Sequence, residues 1–185
     1  MPRAKLAASM LVLGLLVAGC EQTNRAIDRT IGPGASTSSL TPADAEFVLR
    51  AADSSNAEIA LGELAQTNAQ SAAVREFGQD MVTSHTRLNQ ELTQVATQNG
   101  LTPPTTPTAP STAVATALGT RTGAAFDRAY LTQQVAAHDM TLALFRHAAR
   151  NAENTAIRSF AQRHADEIEE HLERAQSLLR AVGSS

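Results

Sequence analysis

The chain has 185 residues, with 15 Lys and Arg against 18 Asp and Glu, and 43% of it is hydrophobic. One tyrosine, no tryptophan and no basic cluster leave neither the charge nor the stacking surface of a nucleic-acid binder, so that class is set aside. A single cysteine allows no intramolecular disulfide, and stability must come from packing.

Residues 1–19 read as a lipoprotein signal peptide. Arg3 and Lys5 form a basic start, the apolar run Leu6 to Val17 is too short to span a bilayer, and small residues follow. Val17-Ala18-Gly19-Cys20 resembles a bacterial lipobox, in which the cysteine is acylated and becomes the new N-terminus. The alternative is a plain secretory signal in which Cys20 falls there by chance. Acylation with more than one chain gives a stable membrane anchor. Glu21, where an Asp would mark inner-membrane retention, directs the expectation to the outer membrane, facing the periplasm. Removing Arg3 and Lys5 leaves 13 basic against 18 acidic residues, a net charge of −5, and a lysine-free mature part.

Residues 20–40 are polar, aperiodic and rich in Gly, Ser and Thr, which reads as a tether. Thr41-Pro42-Ala43-Asp44 then opens a helix: Thr41 can cap, Pro42 suits the first position, and Asp44 can reach back to the cap. Apolar spacing carries this helix to about Asn68. A second spans about Ser71 to Asn99, with Val74, Phe77, Met81, Leu88, Leu92 and Val95 on one face, and Asn99-Gly100 stops it. "LTPPTTPTAP", Leu101 to Pro110, cannot be helix interior and predicts a stiff extended crossover, followed by a short segment around Val114 to Leu118. A third helix runs from about Gly123 to Arg150. A fourth runs from about Glu153 to Val182, started by Asn151 or Asn154. No strand-like alternation appears. Four helices of about 27 residues, or about 40 Å, in two hairpins joined by one long Pro/Thr-rich crossover (about 101–122) describe a ferritin-like antiparallel four-helix bundle over residues 41–182.

Helical wheels separate the five histidines. His85 falls in the second helix's stripe near Met81, Leu88 and Leu92, and His138 in the third's, with Leu131, Val135, Leu142 and Phe145. His164 and His171 lie in the fourth's stripe, and His147 points outward. Glu58 shares an apolar face with Phe47, Ala51, Leu61 and Ala65, which is unusual for a carboxylate without a partner. Counted from the turns, Glu58, His85 and His138 lie near one level, between His164 and His171. Imidazoles and a carboxylate converging from four helices suit a transition metal such as Zn, Cu, Fe or Mn. Glu58, His85, His138 and either His164 or His171 are the candidate ligands, with Glu167 flanking and able to pair with His171. The competing reading is a hydrogen-bonded polar layer that fixes register.

The stretches "FVLRAADSSNAEIALGELAQTNAQSAAVREFGQDMVTSH", "FDRAYLTQQVAAHDMTLALFRHAA" and "IRSFAQRHADEIEEHL" resemble an uncharacterised ferritin-like family of bacterial envelope proteins, often labelled putative outer-membrane proteins. The resemblance covers nearly all of residues 42–182. It implies a ferritin-like bundle and an envelope location, and brings no established reaction. The family pattern carries an acid before the second helix's histidine, where this chain has Ser84. The di-iron signature of ferritin relatives is missing: Val82 and Ile168 stand three residues before His85 and His171, and His138 stands where a bridging Glu is expected.

Together these readings predict a lipid-anchored, non-catalytic envelope protein with a central His/Glu layer that binds a transition metal. A structural or stress-related periplasmic interaction module, with a protein partner and no metal, is the alternative. A mononuclear metalloenzyme is the weaker third.

Overall fold

The computed structural model describes residues 40–183, so the leader, Cys20 and the tether up to residue 39 lie outside the described residues. Five α-helices and no strand make up the described part. α1 (Pro42–Asn68) begins with the Thr41 hydroxyl accepting from the Asp44 amide at 3.2 Å. The Asp44 carboxylate does not close the cap as the sequence suggests. It reaches across to the turn between the third and fourth long helices and accepts from the amides of Glu153 and Asn154 at 3.2 and 2.9 Å. α2 (Ala72–Gln98) ends in a Schellman turn, with Gly100 at φ +81° and bonds from Leu101 to Ala96 and from Gly100 to Thr97.

Ala109 and Pro110, assigned to the crossover from sequence, instead open a fifth element, α3 (Ala109–Gly119). A proline in the first helical turn forfeits no hydrogen bond, which is why it is tolerated there. α4 spans Gly123–Asn151 and α5 Thr155–Gly183. Of the two asparagines that could start α5, Asn154 does so, accepting from the amides of Ala156 and Ile157.

The most extensive packing joins α1 to α2 and α4 to α5, and α1–α4 and α2–α5 contacts complete the ring. Contacts run in opposite residue order across both of these seams. Asp80 meets Arg174 and Arg87 meets Glu167 between α2 and α5, whereas Ser54 meets Thr141 and Glu58 meets Gln134 between α1 and α4. Since α1 also runs opposite to α2, helices α2 and α4 point the same way, and the chain between them must travel the length of the helices. α3 makes that journey beside α1. Asp53 accepts from the Thr108 amide at its start, and Asn68 donates to Gly119 and Arg121 carbonyls at its end.

The two hairpins repeat one another at an offset of 83 residues, a relation the periodicity reading passed over. "AQSAAVREFGQ" (69–79) corresponds to "AENTAIRSFAQ" (152–162). The bonds repeat with the letters: Arg75 donates to the Ala69 carbonyl at 2.8 Å, and Arg158 to the Ala152 carbonyl at 2.7 Å. Asp127, the counterpart of Asp44, accepts from the amides of Gln70 and Ser71 at 3.0 and 2.9 Å. Phe77 meets Tyr130 edge-on at 6.3 Å, and their counterparts Phe160 and Phe47 do so at 6.4 Å. Each half therefore closes the turn of the other with the same buried aspartate.

The apolar core divides into two clusters. One gathers Phe47, Leu92, Phe145, Phe160 and Leu172 towards one end. The other gathers Leu61, Phe77, Met81, Phe126 and Tyr130 towards the other. Buried Ser55, Glu58, His85, Gln134 and His138 lie in the stretches between them.

Candidate metal centre

α2, α4 and α5 each bring one histidine to the middle of the molecule. The ring centroids of His85, His138 and His171 form a nearly equilateral triangle, with separations of 5.7, 5.9 and 5.6 Å. Each residue offers one ligand nitrogen, and these atoms lie within 4.8 Å of one another. A tetrahedral ion at 2.0–2.1 Å from each nitrogen needs them about 3.4 Å apart, so nitrogens at the outer end of that range must draw closer to hold one.

Hydrogen bonds decide which nitrogens are available. His138 Nδ1 lies 3.0 Å from the Gln134 carbonyl, which can only accept. Nδ1 is therefore the protonated nitrogen, and Nε2 carries the free lone pair. His85 Nδ1 is 3.0 Å from the Ser55 hydroxyl. His85 Nε2, His138 Nε2 and His171 Nδ1 are all buried and have no hydrogen-bond partner. An unpartnered buried polar atom costs about 1–3 kcal/mol, and here three of them lie in adjacent rings.

Two of the three rings, His85 and His171, are also held in the form that binds a cation. Burial, then the neighbouring His138, His171 and His164, push the His85 pKa well below its usual value. Burial followed by His138 brings His171 to about 4. Neutral imidazoles with exposed lone pairs are what an incoming metal ion requires.

The other candidates from sequence sit elsewhere. Glu58 is 2% exposed, and its Oε2 accepts from Gln134 Nε2 at 2.6 Å. Its Oε1 is 3.8 Å from His138 Nδ1, the nitrogen turned away from the lone pair, so Glu58 stands behind His138 rather than beside the ion. Burial raises its pKa, with His138 and the Gln134 bond acting the other way. His164 is buried but apart: its Nε2 is 2.9 Å from Glu91 and its Nδ1 3.5 Å from Glu167. Glu167 pairs with Arg87 at 2.5 Å rather than with His171, because a permanent guanidinium outcompetes a neutral imidazole for a carboxylate. His147 is exposed.

Ser55, Gln134 and Glu91 were not singled out in the sequence. Ser55 and Gln134 lie one turn before Glu58 and His138 on the same faces, a local signal that could have found them. Glu91 offered none, since its relevance depends on α5 lying opposite.

Histidines of the centre also break the repeat. The counterparts of His85, His138 and His171 are Ile168, Ser55 and Leu88. The duplicated scaffold supplies the helices and turns, and the three ligands belong to one half or the other alone.

A family model for a domain of unknown function (DUF4142) matches residues 30–178. No curated protein and no solved structure matches the chain.

Proposed function

The chain belongs to the family of that domain of unknown function, DUF4142, and from this premise we propose that it is a transition-metal-binding protein of the cell envelope. In this reading its helices form a ferritin-like antiparallel four-helix bundle, two hairpins joined by the crossover, without a catalytic cycle. His85, His138 and His171 hold one ion, with Zn, Cu, Fe and Mn as the candidates. Ser55, Gln134 and Glu58 orient the rings from behind, as outer partners of metal-bound histidines commonly do. A single observation carries the reading: three buried, unpartnered imidazole nitrogens converge from three helices. The lipobox-like Val17-Ala18-Gly19-Cys20 supports anchoring through acylated Cys20, and none of the described helices is long and apolar enough to cross a bilayer.

Elemental analysis of the purified full-length protein, without a His-tag or chelator, tests the centre. Near-stoichiometric metal in the natural protein and none in His85→Ala/His138→Ala is the expected result. No metal in either, after loading with Zn, Cu, Fe and Mn, rejects it. The second reading, an interaction module whose polar layer only fixes register, is favoured by the His164–Glu91 and Glu58–Gln134 bonds. That reading expects no metal.

A further inference from the structure

We infer that a cation enters the three-histidine centre along the α2–α5 seam at His171, and that the ion pairs Arg87–Glu167 and Arg174–Asp80 form its gate. The inference rests on the metal-binding reading and assigns the route and the residues that control it.

Exposure selects the seam. His85 and His138 are 2% and 1% exposed and have no solvent edge, whereas His171 is half-buried with its Nδ1 enclosed. Its ring thus runs from the solvent boundary to the triad, and an exchanging ion meets it first.

Four charged residues frame that ring. On α5, Glu167 lies one turn before His171 and Arg174 one turn after. Their partners on α2, Arg87 and Asp80, are seven residues apart, so the frame is about 10 Å tall. Arg87 holds Glu167 at 2.5 Å, and Arg174 bonds to Asp80 while its guanidinium lies 5.4 Å over the Phe77 ring. Side-chain exposures from 25% to 55% put all four at the water boundary. Glu167, Arg174 and Asp80 all act electrostatically on His171. Exposed ion pairs are weak and open readily. When an arginine swings out, its carboxylate becomes an oxygen ligand for the arriving hydrated cation, one turn from His171 or directly across the seam.

The other visible approach ends in the wrong place. A cleft of about 250 Å³ between α1 and α4, lined by Ser54, Ala57, Glu58, Met140 and Thr141, reaches the back of the centre. There it meets the Glu58 carboxylate, which stands on the Nδ1 side of His138, and not a lone pair. Nor does the repeat account for the frame. The counterparts of Asp80, Arg87, Glu167 and Arg174 are Arg163, Glu170, Ser84 and Glu91, so no frame residue is reproduced by the scaffold.

The test is stopped-flow uptake of Co²⁺ by the metal-free full-length protein, followed by the absorbance of the bound ion. Arg87→Gln/Arg174→Gln removes the positive half of the gate and should speed uptake on the order of tenfold at low salt, with one ion still bound. Asp80→Asn/Glu167→Gln should slow uptake and flatten its salt dependence, which keeps the test open where the arginine variant folds poorly by circular dichroism. Ala57→Leu, which fills the α1–α4 cleft, should change nothing. Unchanged rates in both seam variants, or slowed uptake in Ala57→Leu, overturn the route while the site stands. No cobalt bound by the natural protein, or binding retained in His85→Ala/His171→Ala, overturns the centre itself and the gate with it.

Discussion

At His138 the bond from Nδ1 to the Gln134 carbonyl leaves Nε2 with a lone pair and nothing to receive it. His164 is equally buried but has a carboxylate near each ring nitrogen. Wheels placed both inside, because a wheel reports only the angle about one helix axis. What separates them is the residue opposite, Glu91 on α2, which no single-helix pattern contains. The same burial sets a pH response. His171 is held at about 4 and His85 well below its usual value, while the unfolded chain titrates near 6.5. As pH falls below about 6.5, the unfolded chain takes up protons that the folded one refuses, so stability is full above that pH and drops towards 4. Glu58 acts in the opposite sense: its raised pKa favours the folded state at low pH, and that contribution is lost as pH rises. We expect the metal-free protein to be less stable at pH 5 than at pH 7, with His171 accounting for up to about 2 kcal/mol. Denaturant titrations should show that His171→Leu removes its own share of this difference and leaves that of His85. An unaltered pH response in His171→Leu would contradict the buried neutral ring.

Among the elements, the α1–α2 hairpin is the one whose packing depends on single atoms. A Cβ at Gly78 would lie 2.5 Å from the Ala65 Cβ and 2.9 Å from the Gly62 carbonyl oxygen, with no flexible side-chain end to yield. At Gly119, in the last turn of α3, a Cβ would meet only Leu64 methyls at 3.6 Å or more. Gly78→Ala should therefore cost roughly 1–3 kcal/mol by overpacking, against a neutral or slightly stabilising Gly119→Ala. Thermal melts of the two variants check this, and equal melting temperatures would show that the hairpin can part without penalty. Helix starts and stops were largely legible because caps are local: Thr41, Asn154 and Gly100 act within a few residues of themselves. Asp44 was not, since its carboxylate serves a turn more than a hundred residues away. Pro110 also misled, because proline forbids a helix interior but not a first turn.

For the whole molecule, the lipobox-like Cys20 predicts where the protein resides. In cell fractionation, Cys20→Ser should move the full chain from the membrane pellet to the soluble fraction. Retention in the pellet would defeat the anchoring proposal. The sequence by itself determined that the protein is all-helical, where each long helix begins and ends, and which histidines face inward. Those properties follow from hydrogen bonds and apolar spacing within a few turns of chain. Only the tertiary structure decided that His85, His138 and His171 meet while His164 and Glu58 stand apart. It also decided that each half of the repeat caps the other, and that of the three converging histidines only His171 reaches the surface. Distances between side chains on different helices depend on how the helices are offset and which residues face them across a seam. A few ångströms of that offset separate a ligand from a salt-bridge partner.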